Sequence, residues 1–271
     1  MTMQFVVLGL ALLASGGLVG FLAGVFGVGG GTVIVPVLYG VFLWIGVPEE
    51  LRMPLCAGTS LALIIPTSLA SFTTHRKAAS IDLILLKSWI MPIVIGVIGG
   101  AIAARYAPAC AFKIAFVSIA LTTAARLLLR DRLPQLGYDV PRRFIAPYGV
   151  IIGASASLIG IGGGLVANIV MTMHGRTIHQ AVATSSGVGV LVSLPGTLGY
   201  MAAGWDKGGL PPFSIGFVSI AAVLLLMPTS FFAAKIGARL AHTVSKGRLE
   251  VAFSCYLILV STQFCVSLIS A

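Results

Sequence analysis

The chain has 271 residues, of which 58% are hydrophobic and only 9% are charged, and its mean hydropathy is +1.07. These values lie outside the range of soluble globular domains and predict a polytopic membrane protein without a separate soluble domain. The net charge of +10 comes from basic residues that stand singly or in small groups between apolar runs, with no interleaved aromatic residues. They indicate membrane topology and contacts with anionic lipid of the bilayer, and they argue against a nucleic-acid partner.

Apolar segments fill almost the whole chain and predict an all-α fold of ten helices. In chain order they lie at residues 4–26, 32–47, 55–72, 82–104, 112–129, 144–160, 165–173, 181–203, 213–235 and 248–270. The first segment is interpreted as a retained span, because no Lys or Arg precedes it. The second and seventh are too short for a bilayer core that needs about 20 residues. These two helices are therefore expected to begin near the middle of the membrane.

A glycine-rich stretch occurs twice, at Gly20–Gly31 and at Gly153–Gly164, related by a shift of 133 positions. Adjacent glycines break a helix and leave backbone N–H and C=O groups without partners. In a membrane such a break is tolerated only where the backbone packs on protein or lines a polar cavity. The runs Gly29–Gly31 and Gly162–Gly164 are therefore expected to line a ligand site. A four-residue spacing instead predicts close helix packing for Gly16, Gly20 and Gly24.

The duplication extends beyond the glycine runs. Gly58–Ser60 aligns with Ala183–Ser185 at a shift of 125, and Gly100-Ala101 aligns with Gly237-Ala238 at a shift of 137. The landmarks keep their order, which predicts two homologous halves of five segments each. The first transmembrane repeat is placed at residues 1–130, a cytoplasmic connector at 131–143 and the second transmembrane repeat at 144–271.

The distribution of positive charge predicts how the halves are oriented. With ten alternating segments and the connector in the cytoplasm, thirteen of the seventeen Lys and Arg residues lie inside. If each glycine-broken pair is merged into one crossing, the count falls to about nine inside against eight outside. The positive-inside tendency therefore favours inverted repeats, with both termini on the outer side.

The glycine breaks suggest how an anion is held. Helices that begin at Thr32 and Leu165 would aim unpaired N–H groups and positive dipole ends at one place in the membrane. Repeated hydroxyls add hydrogen-bond donors, although Ser and Thr in membrane helices also commonly bond to carbonyls of their own helix. The predicted substrate-binding residues are Gly29, Gly30, Gly31, Thr32, Thr59, Ser60, Gly162, Gly163, Gly164, Leu165, Thr184 and Ser185.

Other chemistry has weaker support in the sequence. No hydrolase, zinc-protease or nucleotide-binding motif is present, so no catalytic residue, metal or cofactor is expected. The four cysteines form no CxxC pair and are interpreted as packed thiols. A few ionisable residues lie near segment ends, either as interfacial anchors or as participants in ion coupling: Asp82, Lys87, Lys113 and Glu250.

Several motifs together resemble one family. They are the paired Gly-x-Gly-Gly-Gly breaks, Ala57–Ser60 with Pro66–Ser68, His75–Lys77, and Ala181–Ser185 with Leu194–Gly199. This ordered set is similar to the sulfite exporter TauE/SafE family of bacterial membrane permeases, over about residues 5 to 268. The resemblance implies a protein of the bacterial inner membrane that exports small sulfur-containing or organic anions such as sulfite, sulfoacetate or related sulfonates. The second copy differs in having Ser157 for Gly24 and Leu165 for Thr32.

The resulting hypothesis is a secondary transporter that exports a small oxyanion by alternating access, with a coupling ion and a homodimer left open. Two alternatives within transport are an uptake permease and a passive anion channel. An alternative from another class is an intramembrane sulfur-transfer enzyme that uses Cys56 or Cys255, and a further one is a membrane scaffold without transport.

Overall fold

A computed structural model describes residues 13, 15–22, 31–77, 81–129, 137, 139–243 and 246–269. The predicted all-α membrane fold is confirmed, and each predicted apolar segment corresponds to one helix within these residues. The helices are α1 (15–22), α2 (Gly31–Trp44), α3 (Glu49–Lys77), α4 (Leu83–Tyr106), α5 (Ala109–Leu128), α6 (Arg142–Ile159), α7 (Gly164–Met173), α8 (Ile178–Ala203), α9 (Ile220–Thr243) and α10 (Lys246–Ile269).

Five of the described helices are long and apolar enough to cross a membrane, within Glu49–Thr73, Leu83–Tyr106, Ala109–Leu128, Gln180–Ala203 and Glu250–Leu268. Helices α2 and α7 have only 14 and 10 residues. At 1.5 Å per residue they extend about 21 Å and about 15 Å, less than the roughly 30 Å of a hydrocarbon core. Neither short helix crosses the bilayer alone, as their segment lengths predict.

The predicted start of the ninth segment at residue 213 is wrong. Residues 214–219 form an antiparallel hairpin of β1 (Ser214–Ile215) and β2 (Val218–Ser219), and α9 begins only at Ile220. Gly216 in the turn has φ +53°, and a Cβ there would lie 2.0 Å from the Met201 carbonyl oxygen. Hydropathy does not distinguish this hairpin from a helix, because its composition is as apolar as that of the helix after it.

Helices that the sequence duplication predicts to be equivalent pair with each other and run antiparallel. Along α3 and α8, Leu61 lies beside Gly196 and Ser68 lies beside Gly189. Helices α5 and α10 pair in the same manner, with the Phe116 and Phe264 ring centroids 5.0 Å apart and Lys113 bonded to Ser267. The third helices of the two predicted halves therefore pack antiparallel to each other, and so do the fifth helices.

The first helix of each half packs on the fourth helix of the other half. A Cβ on Gly20 of α1 would lie 2.1 Å from the Ser230 carbonyl oxygen of α9, and one on Gly153 of α6 would lie 2.2 Å from the Ile93 carbonyl oxygen of α4. These contacts are equivalent, because Gly20 and Gly153 are aligned at a shift of 133 and Ile93 and Ser230 at a shift of 137. Glycine is required at both positions because the helix backbones touch there.

Two glycines of α4 allow this packing to be measured. A Cβ on Gly96 would lie 2.3 Å from the Val150 carbonyl oxygen, whereas nothing lies within 4 Å of one on Gly99. We expect Gly96→Ala to lower the free energy of unfolding by about 2 kcal/mol through overpacking. Gly99→Ala should leave it unchanged or raise it by up to about 1 kcal/mol, because Ala favours a helix. Thermal unfolding in detergent tests this, and equal midpoints for the two variants would contradict it.

Candidate functional site

The second glycine run forms the tip of a helical hairpin made by α6 and α7. Gly160, Gly162 and Gly163 all have positive φ, at +69°, +72° and +78°. Gly163 is the N-cap of α7 and packs against Val188 and Val192 in the middle of α8, while residues 174–177 join the other end of α7 to the start of α8. Helix α7 thus runs antiparallel to α8 and turns back along α6. The buried tip lies inside the protein, and α7 begins at Gly164, one residue before the predicted Leu165.

The tip contacts the start of α2 and the middle of α3, both in the first half. Ser60 donates a hydrogen bond of 2.7 Å from Oγ to the Gly160 carbonyl oxygen. A Cβ on Gly31 would lie 2.6 Å from Ile161 Cα, so the first residue of α2 touches the tip. The end of the first glycine run therefore meets the second run at the boundary between the halves. Gly29 and Gly30 lie outside the described residues.

A small cavity of about 40 Å³ lies beside the tip, between α3 and α8. Its wall includes Gly162 and Gly164, and five hydroxyl side chains surround it: Thr67, Ser68, Ser71, Ser185 and Ser186. None of the described residues that line it is charged. The first N–H groups of α7 have no partner within the helix and carry the positive end of its dipole. The cavity therefore combines hydroxyls with an electropositive helix end.

The hydroxyls of this cavity are not equivalent. Three of them donate to carbonyls of their own helix: Thr67 to Ile64 at 3.0 Å, Ser185 to Val182 at 3.0 Å and Ser186 to Ala183 at 2.6 Å. Ser68 is only 4% exposed, lines the cavity and makes no hydrogen bond to a described residue. Among the described residues, its hydroxyl proton is therefore available to a ligand in the cavity. Ser68 is not among the predicted site residues. The repeat of Ser68-Leu69 as Ser193-Leu194 is the sequence feature that could have identified it.

The predicted ligand donors Thr59 and Thr184 join the two halves. Thr59 Oγ1 accepts a hydrogen bond from the Ser219 backbone N–H at 3.0 Å, and Thr184 Oγ1 accepts one from the Asp82 N–H at 2.9 Å. Ser219 and Asp82 precede α9 and α4, and each side chain caps the helix that follows, through Ala222 N–H and Leu85 N–H respectively. Each threonine thus anchors the start of the fourth helix of the opposite half.

The remaining predicted residues lie in the first turns of the short helices. Thr32 and Leu165 are both buried, at 0% and 3% exposure. Thr32 Oγ1 has no hydrogen-bond partner within the part of the chain that the structure describes. The structure therefore brings Gly31, Ser60, Gly162, Gly163 and Gly164 together at the tip, and Ser185 to the cavity beside it.

A charged cluster lies at the N-terminal end of α3, where the helix begins with Glu49. Lys113 is 1% exposed and bonds to the Glu49 carboxylate and to Ser267 Oγ. The Tyr39 ring lies between two cations, with its centroid 5.6 Å from Lys113 Nζ and 5.1 Å from Arg52 Cζ. Lys113 is thus a buried cation paired with a carboxylate that is 41% exposed, and the sequence leaves it open between an interfacial anchor and a participant in ion coupling. Glu49 lies 64 positions from Lys113, and no local pattern predicts their contact.

A second charged cluster lies at the opposite end of the α3 and α8 pair. Arg176, in the linker before α8, contacts Asp82 at 2.8 Å and Asp139 at 3.0 Å. Because α3 and α8 run antiparallel, the start of α8 and the start of α3 lie at opposite ends of the pair. Along the α3 and α8 pair, the cavity beside the tip therefore lies between two clusters of ionic contacts, one at each end.

The cysteines proposed for sulfur transfer lie away from the cavity wall. Cys56 is fully buried in α3, and Cys255 is exposed on α10 beside Ile258 and Leu259. Neither residue is among those that line the hydroxyl-rich cavity. The described geometry gives no support to a thiol that acts on a ligand bound there.

Comparisons with known proteins agree with this architecture. The chain is 32% identical over 266 residues to a protein from Haemophilus influenzae named "Probable membrane transporter protein", covering 93% of this chain and 96% of that one. A probable membrane transporter protein from Methanocaldococcus jannaschii is 28% identical over 263 residues, covering 94% of each chain. No solved structure shows a significant match. The family model described as sulfite exporter TauE/SafE matches residues 12–264, and the chain therefore belongs to this family of multi-pass membrane proteins.

Proposed function

We propose that this protein is a secondary transporter that exports a small oxyanion, sulfite or a small sulfonate, across the bacterial inner membrane by alternating access. The observation that carries the proposal is the hydroxyl of Ser68, which is buried in a cavity beside the first turn of α7 and makes no hydrogen bond to another described residue. The family description and the names of the relatives support transport.

The chemistry of the cavity suits an anion that must also be released. A helix N-terminus attracts an oxyanion through backbone N–H groups and the helix dipole, without a full positive charge. Hydroxyls such as Ser68 and Ser71 supply further donors, and a lining that is uncharged among the described residues binds an anion weakly enough for release. One water molecule needs about 10–15 Å³ of such a cavity, so a cavity of about 40 Å³ accommodates only a small ligand in this conformation.

The arrangement of the halves supports alternating access. The antiparallel pairing of α3 with α8 and of α5 with α10 is what inverted repeats require, and transporters with such repeats rock one half against the other around a central site. The sequence has no ATP-binding motif to supply energy. The membrane potential is worth about 2.3 kcal/mol per charge per 100 mV, and a negative interior favours anion efflux.

Anion-dependent thermal stability of the purified protein tests the site. We expect sulfite or a small sulfonate to raise the unfolding midpoint, because a ligand that binds only the folded state adds about 2.7 kcal/mol at one hundred times its Kd. Sulfate, thiosulfate, taurine and simple carboxylates complete the screen. Ser68→Ala should abolish the shift, whereas Ser118→Ala, on the exposed face of α5, should retain it. An unchanged shift in Ser68→Ala would contradict this site, and no shift with any anion would favour a scaffold.

Flux in proteoliposomes separates the remaining alternatives. Saturable counterflow of labelled sulfite that responds to an imposed potential is expected for a secondary transporter. Flux that does not saturate indicates a channel, and accumulation inside against the potential indicates uptake. A variant that lacks all four cysteines should transport normally, whereas a sulfur-transfer enzyme would lose its activity.

A further inference from the structure

One guanidinium group connects three separate parts of the chain near the cavity. Arg176 Nη2 lies 2.8 Å from Asp82 Oδ2 and 3.0 Å from Asp139 Oδ1. Asp82 caps α4 of the first half, Arg176 lies in the linker before α8 of the second half, and Asp139 lies just before α6, in the connector between the halves. The two ion pairs therefore tie the first half, the second half and the connector together at one point.

These ion pairs lie next to the cavity wall. The Asp82 backbone N–H donates to Thr184 Oγ1 at 2.9 Å, and the next residue, Ser185, lines the cavity. Val182, also on the wall, lies about one helical turn from the start of α8, beside which Arg176 is placed. Any motion that opens the cavity at this end by moving the start of α4 away from α8 must therefore break the contact between Arg176 and Asp82.

The exposure of the three side chains suits contacts that break and reform. The side chain of Asp82 is 17% exposed, that of Arg176 31% and that of Asp139 80%. Ion pairs that are partly hydrated are weak and sensitive to salt. At the opposite end of the α3 and α8 pair, the residue equivalent to Asp82 is Ser219, which caps α9 with a neutral hydroxyl. The carboxylate is thus present at only one of two otherwise equivalent caps.

We propose that Arg176, Asp82 and Asp139 form a charge latch that holds one end of the transport pathway closed in this conformation and separates when the pathway opens at that end. The charge distribution of the sequence predicts that this end faces the cytoplasm. The proposal rests on the alternating-access function argued above, and it adds a gate to that function and assigns three residues to it.

A thiol reporter in the cavity wall tests the latch. In a variant with all four cysteines replaced, Val182→Cys is labelled with a membrane-impermeant maleimide applied to inverted vesicles and, separately, to right-side-out vesicles. Asp82→Asn removes the charge but keeps a side chain that caps helices well. We expect Arg176→Gln, Asp82→Asn and Asp139→Asn each to raise the labelling rate from the latch side about fivefold, the change expected when weak ion pairs are lost.

The matched control is a different ion pair of the same kind. Arg105 contacts Asp206 at 3.4 Å, and both side chains are exposed. Arg105→Gln should leave the labelling rate within about twofold of the parent, because Arg105 lies at the end of α4 and Asp206 lies after the end of α8, at the other end of both helices from Asp82 and Arg176. Raising the NaCl concentration should speed labelling of the parent and leave Arg176→Gln unchanged, since screening acts on the latch only while it is intact.

Two results would overturn the latch: an unchanged rate in the latch variants, or an equal increase in Arg105→Gln. Asp139→Asn alters an exposed side chain, so the test stands even where Arg176→Gln fails to fold. Labelling requires no transported anion and reports on the gate alone. If labelling responds but no anion stabilises the protein, the gate stands and the oxyanion assignment fails. If an anion stabilises the protein but labelling does not respond, the oxyanion assignment stands and the gate fails.

Discussion

Replacing Gly160 by alanine is expected to prevent folded protein from accumulating in the membrane. The residue has φ +69°, a conformation that costs a non-glycine residue about 1–2 kcal/mol. A Cβ there would also lie 2.6 Å from Ala57 Cα and 2.9 Å from the Ala57 carbonyl oxygen, neither of which can rotate away. Overpacking of this kind costs about a further 1–3 kcal/mol, and the sum is a large share of a typical folding free energy of about 5–15 kcal/mol.

Gly46 provides the matched control for the backbone conformation alone. It has φ +77°, and nothing lies within 4 Å of a Cβ placed on it. Gly46→Ala should therefore cost only the conformational part, about 1 kcal/mol. The amount of monodisperse protein after detergent extraction and the unfolding midpoint are the measurements. Similar behaviour of the two variants would mean that the tip of the hairpin does not pack on α3 as described.

Replacing Gly189 by alanine is expected to remove anion binding while preserving the fold. A Cβ there would lie 2.4 Å from Ser68 Oγ and 3.7 Å from the Gly162 carbonyl oxygen, so it would extend into the cavity. The Ser68 hydroxyl can rotate away, whereas the Ser68 Cβ, 3.1 Å from the added Cβ, requires α3 and α8 to separate by only a few tenths of an ångström. The cavity would then lose both volume and the Ser68 hydroxyl as a donor, and we expect Kd for the anion to rise at least about tenfold, equivalent to about 1.4 kcal/mol.

A second glycine of α8 separates this effect from a general change in the helix. Gly196 lies two turns further along, and a Cβ there would meet the end of the Leu61 side chain at 2.9 Å and Val97 Cγ1 at an ordinary 3.6 Å. Gly196 is not among the residues that line the cavity. Gly196→Ala should bind the anion as the parent does, measured by the anion-dependent shift of the unfolding midpoint. Equal losses in the two variants would place the binding site elsewhere.

The helices were predictable from the sequence because burial in lipid leaves long apolar runs, and because adjacent glycines mark a break to within one residue. The start of α7 at Gly164 against a prediction of Leu165 illustrates this. The hairpin at Ser214–Ser219 was not predictable in this manner. Its apolar residues pack against α8 near Met201, so hydropathy there reports burial and carries no information on backbone conformation.

The roles of the repeated hydroxyls could be predicted only in part. Thr59 and Thr184 recur in register, which suggested a shared ligand, but a structural contact that each half makes with the other recurs in the same way. Ser68 and the ion pair of Glu49 with Lys113 depend on neighbours distant in the chain. Such neighbours become known only when the helices are packed together.

The unequal caps at Asp82 and Ser219 have an energetic consequence for the proposed cycle. If two inverted halves were chemically identical, exchanging them would convert the inward-facing state into the outward-facing one, and without a voltage both would have equal energy. A carboxylate at one cap and a neutral hydroxyl at the other removes that degeneracy. The resting preference for one orientation is then a property of the polypeptide itself, which alters the affinity seen from each side but leaves the direction of net flux to the gradients.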